Sequence, residues 1–297
     1  MKPGALPGTL GLLRSQQLVA AALLLALLMG ALAAAFITYE WRELEATHRA
    51  RAELYARALD DQTTSAVSGT DTILRSLLPA LERPQRPDQA TDFAALLQDS
   101  LRGRPFLRSV SWLDGTRRVV ASSNPDNVGL TVPLALLGQP VAAGLGAWLA
   151  QPVSGRDLNS LEQTPLAQAK VLALPLVLSF NSPQGPALLV ALINPDHFAT
   201  QFERTLSGSP LRGLLLGLDG RLILATANVA AAPGTPMTAL PAFSRHLPAR
   251  EAASDVGLGS DGGPVLSAFR TTRDWPLVVL VEQPHAVFLD NVLAVAK

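Results

Sequence analysis

Few side chains in this sequence have the types and spacing that enzyme chemistry requires. A metal site needs three or four ligands that converge on one point, and the histidines are scattered along the chain at His48, His197, His246 and His285. The absence of cysteine excludes disulfides, thiolate catalysis and cysteine-ligated metals. The chain contains neither a Gly-x-Ser-x-Gly nucleophile turn nor a glycine-rich phosphate loop ending in Lys-Ser/Thr. We therefore expect no catalytic site, no metal and no cofactor in this chain.

The aspartates that stand out have local explanations. Asp60 and Asp61 are neighbours in a helical pattern, where adjacent side chains point in different directions, and we expect both to be solvated. Asp114 and Asp219 each precede glycine between two apolar runs, which is typical of a hairpin turn. A turn role therefore explains these two carboxylates better than catalysis does.

The residues that could bind a small molecule lie in the middle of the chain. Ser109 and Ser111 are two apart in a predicted strand, so they share one face. Trp148 precedes a loop that contains Arg156, and a guanidinium can hold a carboxylate through two parallel hydrogen bonds. The alternatives are that the serines are ordinary strand-surface residues and that Arg156 is a solvated loop residue.

The N-terminal part has the composition of a membrane helix. Leu18–Ile37 is an apolar run of the length, about 20 residues, that crosses the hydrocarbon layer. We therefore predict a transmembrane helix over residues 17–38. Because Lys2 and Arg14 precede the run, we expect residues 1–16 to be cytoplasmic and the rest exported. The small-x-small patterns Ala31-Leu32-Ala33 and Ala33-Ala34-Ala35 leave a cleaved secretory signal as the alternative.

The exported part begins with a helical pattern and then changes to strands. We predict a long extracytoplasmic helix over 39–83 that is kinked or ended by Pro79, because a mid-helix proline removes a hydrogen bond. A second helix is predicted over Ala90–Leu101. Strands follow at 110–113 and 117–122, which form a hairpin, and at 170–180 and 186–193. Pro175 suggests that its strand lies at a sheet edge.

The strand pattern occurs twice, which indicates an internal duplication. Leu113–Gly115 aligns with Leu218–Gly220 if Thr116 is treated as one extra residue, and Leu188–Pro195 aligns with Leu277–Pro284. We therefore predict a membrane-distal module over 84–205, a smaller membrane-proximal module over 206–285, and the start of a C-terminal helix over 286–297.

This order of elements resembles the double Cache (tandem PAS-like) sensor family of bacterial transmembrane receptors. The resemblance implies an α+β fold, in which an N-terminal transmembrane helix continues into a long helix followed by two PAS-like antiparallel-sheet modules. It also implies a small-molecule pocket in the distal module, lined by the Arg156 loop and by the strand that ends at Ser179. The predicted ligand-binding residues are therefore Ser109, Ser111, Trp148, Arg156 and Ser179.

The resemblance implies a sensor in the bacterial inner membrane, single-pass as given, with most of the chain periplasmic. Such a sensor would bind a small molecule, for example a carboxylate or an amino acid, act as a homodimer, and serve a cytoplasmic kinase or cyclase as its output. Since Lys+Arg and Asp+Glu balance at 24 each, we expect no nucleic-acid partner. The alternative function is a membrane-anchored scaffold whose modules bind proteins and no small ligand.

Overall fold

The computed structural model describes residues 9–82, 90–138, 146–161, 165–169 and 171–284. It separates into two units, residues 1–50 and residues 51–297. The first helix, α1 (Thr9–Leu81), begins in the first unit and ends in the second. The predicted C-terminal helix start at 286–297 and residues 1–8 of the predicted cytoplasmic segment lie outside the described residues.

One stretch within α1 has the properties of a membrane span. Among the described residues, Ala22–Leu81 contains the one helical segment that is long and apolar enough to cross a membrane. Its large apolar side chains between Leu23 and Ile37 are exposed. These features fit a single-pass membrane protein.

The part of α1 in the second unit is a core helix. Its buried residues recur at helical spacing on one face, and they include Ala52, Ala56, Leu59, Val67 and Leu74. The helix continues through Pro79 and ends two residues later at Leu81. Proline is tolerated this close to the end because only the last turn loses a backbone hydrogen bond.

The first antiparallel sheet follows α1 and the short helix α2 (Ala90–Asp99). Its strands are β1 (Leu107–Leu113), β2 (Val119–Ser122), β3 (Ala147–Leu149), β4 (Val153–Ser154), β5 (Leu172–Ser182) and β6 (Gly185–Ile193). They are arranged in the order β2-β1-β6-β5-β3, and β4 also pairs with β5. A short helix, α3 (Leu134–Leu137), precedes β3, and α4 (Pro195–Thr205) follows β6.

The second antiparallel sheet repeats this arrangement. Its strands are β7 (Arg212–Gly217), β8 (Leu222–Ala225), β9 (Ala252–Leu258), β10 (Pro264–Thr271) and β11 (Leu277–Pro284). Their order is β8-β7-β11-β10-β9, so each strand occupies the place of its counterpart in the first sheet. The predicted α+β fold with two related sheets is confirmed, whereas the exact module boundaries remain a prediction.

The predicted alignment of the two repeats was wrong in register. Leu113 pairs with Val119 in the first hairpin and Leu216 pairs with Leu222 in the second, so residues 111–123 match 214–226 with no insertion. Gly217, rather than Asp219, therefore occupies the position of Asp114. The two Asp-Gly pairs are similar in sequence but stand at different positions of their turns.

The closing strands are also displaced by one residue. Leu113 pairs with Leu188 and its counterpart Leu216 pairs with Val278, so Leu188 matches Val278 and not Leu277. A shift of one residue moves every strand side chain to the opposite face of the sheet. The sequence alignment therefore found the duplication but exchanged the inner and outer faces of this strand.

Pro175 does not lie in an edge strand, which corrects the sequence prediction. β5 is paired with β6 on one side and with β3 and β4 on the other. The carbonyl of Pro175 accepts from the amide of Ala150, in the gap between β3 and β4. Because that gap needs no donor from β5 at this position, the missing N–H of Pro175 costs the sheet no ladder hydrogen bond.

One face of each sheet packs into a core shared with α1. This core includes Trp112 and Leu176 from the first sheet, Leu215 and Val279 from the second, and Leu59 from α1. The opposite face of each sheet has a separate apolar cluster of its own. The first sheet thus has one face on α1 and the other face under the segments that connect β2 to β5.

Candidate ligand-binding site

A cavity of about 490 Å³ lies at the end of the first sheet where β1 and β5 begin and β6 ends. Its apolar lining includes Leu107 and Val171. Its polar lining includes Arg108, Asn124, Arg156, Asp157, Asn194 and Asp196. Ligand pockets combine apolar walls with a few placed polar groups, and this cavity has both.

Arg108 is a structural cross-link in the cavity wall. Its guanidinium donates to the carbonyls of Gly155 and Leu172 and to Oδ1 of Asn194, and it lies 3.2 Å from Oδ2 of Asp196. The side chain is only 10% exposed, and burial lowers its pKa while Asp196 raises it. Arg108 therefore joins the start of β1 to the start of α4 with most of its donors already used.

Asp157, which also lines the cavity, is the centre of a second hydrogen-bond network. Its carboxylate accepts from the Ser109 hydroxyl at 2.6 Å, from the side-chain amides of Asn127 and Asn124 at 2.7 and 2.8 Å, and from the Leu158 amide at 2.8 Å. Hydrogen bonds from neutral donors stabilise the carboxylate without a cation. The network fixes the loop that follows β4 against β1 and against the turn after β2.

The backbone conformation of this loop is also tightly constrained. Gly155 has φ 127°, and a Cβ at this position would lie 2.4 Å from the carbonyl oxygen of Ser160. The Ser160 hydroxyl accepts from the amides of Arg156 and Asp157. Residues 155–160 therefore form a compact loop that presents the Arg156 side chain at the cavity.

Arg156 is the cavity cation that is free to bind an anion. Its side chain is exposed, and within the described part of the chain its guanidinium has no hydrogen bond or ion pair. A guanidinium in this state can bind a carboxylate through two parallel hydrogen bonds. The neighbouring Arg108 increases the positive potential that a ligand anion would meet.

The cavity and its network contain two of the five predicted ligand-binding residues. Arg156 lines the cavity and Ser109 donates to Asp157. The buried Ser111 hydroxyl instead lies 2.8 Å from that of Ser122. Trp148 donates its indole N–H to the Leu137 carbonyl, and Ser179 accepts from the amide of Gly146. A ligand role for these last three remains a prediction.

The sequence analysis did not identify Arg108, Asp157, Asn124 or Asn194 as residues of the site. Strand alternation puts Arg108 on the face opposite Ser109, but the β1–β6 pairing shifts register between Leu107 and Ser109 and turns this part of the strand. Asn194 and Asn124 had a readable signal, because Asn before Pro-Asp is typical of a helix N-cap, and their side chains accept from the amides of Asp196 and Asp126. Ser109 on β1 and Asn127 after β2, which also bind Asp157, had no such local signal.

The titratable residues of the described chain do not form a metal site. No group of three or more His, Asp or Glu side chains among the described residues is positioned to hold a metal ion.

Comparison with known proteins finds similarity in structure rather than in sequence. No family model matches the chain, and no curated protein matches it. The extracellular domain of rpHK1S-Z16, which is assigned as a histidine kinase, has a TM-score of 0.66 at 19% identity and covers 82% of this chain and 97% of its own. The periplasmic sensory domain of the Campylobacter jejuni chemoreceptor Tlp1 has a TM-score of 0.62 at 10% identity, with 82% and 98% covered.

A third similar structure contains a bound ligand. It is the ligand-binding domain of the Pseudomonas fluorescens chemoreceptor CtaA in complex with L-alanine, with a TM-score of 0.53 at 13% identity, covering 77% of this chain and 93% of its own. At these identities the likeness concerns the fold. The fold is the one found in these extracellular and periplasmic sensory domains, as the resemblance implied.

Proposed function

We propose that this chain is the extracytoplasmic ligand-sensing input module of a membrane-bound bacterial receptor, of the double Cache class. Its output would be a histidine kinase or a diguanylate cyclase, and its anchor would lie in the inner membrane. The observation that carries the proposal is the exposed, unpaired Arg156 at a cavity of the first sheet. The sensory-domain fold of the similar structures supports it.

The chemistry of the cavity favours a small carboxylate or an amino acid as ligand. Arg156 would hold the carboxylate, while Asp196, whose side chain is 74% exposed, could accept from an ammonium group. Asp157 is less suited to that role because its oxygens already accept four hydrogen bonds. Two proteins of similar fold were crystallised with L-alanine and with isoleucine, which are ligands of this class.

The same contacts suggest how binding would reach α1. Asp157 ties the ligand loop to Ser109 on β1, and the opposite face of β1 carries Trp112 into the core shared with α1. A ligand that shifts the loop would therefore change the packing of β1 on α1, which is a shift between two packed states. A homodimer would let two such helices move against each other in the membrane.

A scaffold without a small ligand is the second candidate, and one observation favours it. The face of the first sheet turned away from α1 is occupied by an apolar cluster that includes Leu137, Trp148, Val177 and Val190. Because the cluster fills that face, a scaffold would need no cavity there. Its module would instead present its outer surface to a protein partner. In that case no small molecule would stabilise the chain.

Thermal unfolding of the full chain in detergent micelles tests both candidates. A panel of carboxylates, amino acids and amines is screened, and a ligand at 100 times its dissociation constant should stabilise the fold by about 2.7 kcal/mol. Arg156→Ala should abolish that shift without changing the ligand-free melting temperature, because the side chain has no partner to lose. Arg250→Ala, an exposed arginine of the second sheet's connections, serves as the control and should respond like the unmodified protein.

The outcomes separate the candidates. An equal shift in Arg156→Ala would exclude this cavity as the ligand site. The absence of any shift across the panel, together with recovery of a stable protein partner from membranes, would favour the scaffold.

A further inference from the structure

The second sheet contains a fully buried carboxyl group that the ligand site does not use. Glu282 lies on β11, the central strand of that sheet, and has no exposed surface. Its Oε1 accepts from the amide of Ser260 at 2.8 Å, and its Oε2 lies 2.6 Å from the Ser260 hydroxyl. Among the described residues no cation forms an ion pair with it.

Glu282 belongs to a polar row that crosses four strands on one face of the sheet. Asp255 on β9 pairs with Ser267 on β10, Ser267 pairs with Glu282, and Glu282 pairs with Arg212 on β7. Buried ionisable groups on a sheet are costly unless they are paired. Burial therefore acts on the protonation of Glu282 together with its nearest charged neighbours, Arg212 on β7 and Asp261 in the adjoining loop.

The charged neighbours of Glu282 are already engaged with other groups. Arg212 lies 2.6 Å from Asp261 in the loop between β9 and β10. Farther along the row, Asp255 is bound by His246 and Arg245. Burial raises the pKa of Glu282, the Ser260 hydrogen bonds and Arg212 offset part of that rise, and Asp261 adds to it.

The loop that covers Glu282 is closed by short contacts. The amide of Gly259 donates to the carbonyl of Gly263 at 2.8 Å, and the amide of Gly262 donates back to Gly259 at 2.9 Å. A Cβ at Gly259 would lie 2.5 Å from Val265 and 3.3 Å from Glu282 Oε2. The loop therefore packs directly against the carboxyl group. For this reason the charge of Glu282 and the closure of the loop are coupled.

We propose that Glu282 and the loop of residues 259–263 form a proton-responsive latch on the second sheet, closed while Glu282 carries its proton and loosened when Glu282 ionises. In the structure both the Ser260 amide and the Ser260 hydroxyl donate to Glu282. A neutral carboxyl keeps both contacts if the hydroxyl turns to accept the proton that Oε2 then carries. An ionised carboxylate in this position has no cation of its own. It would draw Arg212 away from Asp261 or admit water, and either change releases the loop.

The latch would act on the part of the sheet that contacts α1. Val281, next to Glu282 on β11, points to the opposite face and packs in the core that contains α1. A change in how β11 is held therefore reaches the same helix that the ligand cavity would act on. The second module would then respond to the pH of its compartment independently of any ligand in the first.

Amide hydrogen exchange of the full chain in micelles tests the latch. At each pH from 5 to 8, exchange of the peptide spanning 258–264 is compared between the unmodified protein and Glu282→Gln, whose amide reproduces the neutral acid. Taking the ratio at each pH removes the intrinsic pH dependence of exchange. Protection in the unmodified protein should fall relative to the variant by up to about tenfold per pH unit above the pKa of Glu282.

Two further variants keep the test decisive. Glu251→Gln neutralises an exposed glutamate and should leave the pH dependence of the loop unchanged. Ser260→Ala removes the hydroxyl without altering β11, and should lower loop protection at pH 5 even if Glu282→Gln fails to fold. A ratio that is flat with pH, or a loop equally protected in Ser260→Ala at pH 5, would overturn the latch.

Discussion

Oδ2 of Asp60 on α1 lies 3.3 Å from Nε of Arg270 on β10. This contact was not expected, because the sequence predicted that Asp60 and Asp61 would both be solvated. Asp61 is exposed, as predicted, whereas the Asp60 side chain is only 12% exposed. The difference arises because α1 packs against the second sheet on the side that Asp60 occupies, and a helical pattern alone does not show how wide a packed face will be.

We predict that the two partners of this ion pair contribute unequally to stability. Burial raises the pKa of Asp60 despite the opposing effect of Arg270, so the charged carboxylate is not fully compensated. Asp60→Asn should therefore change the free energy of unfolding by less than about 1 kcal/mol. Arg270→Ala should cost about 2 kcal/mol, because it leaves a buried carboxylate without its partner.

Denaturation at different pH values checks this account. The folded-state pKa of Asp60 is raised above its ordinary value of 3.8. Between that value and the folded-state pKa the folded protein binds more protons than the unfolded chain does. The contribution of Asp60 to stability should therefore fall as the pH rises through this range. Asp60→Asn should lack this part of the pH dependence. The exposed neighbour supplies the control: Asp61→Asn should stay within about 0.5 kcal/mol of the unmodified protein at every pH. Equal effects of both substitutions would refute the proposed difference.

We predict that Asp157 is required for the ligand loop to hold its shape. Asp157→Ala leaves the buried Ser109 hydroxyl without an acceptor and removes the shorter of the two hydrogen bonds that the Asn127 amide donates, which should cost about 3 kcal/mol. The Arg156 loop would then be released and the ligand-dependent shift in melting temperature lost. Asp126→Ala, at an exposed position near the same cavity, should have neither effect. Retention of the ligand response in Asp157→Ala would mean that the network does not position Arg156.

The sequence predicted the helices and strands of this fold better than the register in which the two repeats align. Alternating apolar residues and turn residues correctly located the hairpins, and the order of elements revealed the duplication. The Asp-Gly pairs misled the alignment because Gly220 matches Arg117, with φ angles of 79° and 66°, rather than Gly115. Only the strand pairing distinguishes these positions, since both sequences are compatible with a tight turn.

The candidate site was predicted in part for a related reason. Arg156 could be identified because an arginine in a loop is a candidate for binding an anion whatever its neighbours in the tertiary fold are. Asp157, its neighbour in sequence, could not, because its partners Ser109 and Asn124 are 48 and 33 residues away. Contacts between segments this far apart in sequence depend on the tertiary fold, which strand and helix patterns do not specify.

We predict that the ligand loop requires glycine at position 155 for two reasons. A larger residue would collide with the loop, and it would also be strained by the backbone conformation. Gly155 and Gly185 have similar φ angles, 127° and 120°. A Cβ at Gly155 would collide with the Ser160 carbonyl, whereas a Cβ at Gly185 meets nothing within 4 Å. Gly185→Ala therefore measures the conformational cost alone, about 1 kcal/mol.

Gly155→Ala should cost clearly more than this control and should also abolish the ligand-dependent shift. Thermal unfolding with and without the stabilising compound measures both effects. If the two variants behaved alike, the collision at Ser160 would be relieved by a movement of the loop that leaves the site intact, and the close packing of residues 155–160 would not matter for binding.

We predict that Trp148 supports the first module by packing, although its position in the sequence suggested contact with a ligand. Trp148 is 7% exposed, packs in the apolar cluster on the outer face of the sheet, and donates its indole N–H to the Leu137 carbonyl at 2.8 Å. Trp148→Phe loses this hydrogen bond and leaves a small void, which should cost about 2 kcal/mol. The ligand-dependent shift should persist.

A second tryptophan provides the matched control for this experiment. Trp275 also makes one indole hydrogen bond, to the Ser68 hydroxyl at 2.9 Å, but it lies in the turn between β10 and β11. Trp275→Phe should therefore lower stability by a similar mechanism without involving the first sheet. If Trp148→Phe lost the ligand response while Trp275→Phe kept it, Trp148 would be a ligand contact. The binding site would then extend from the cavity at the end of the sheet onto its outer face, because that is where Trp148 lies.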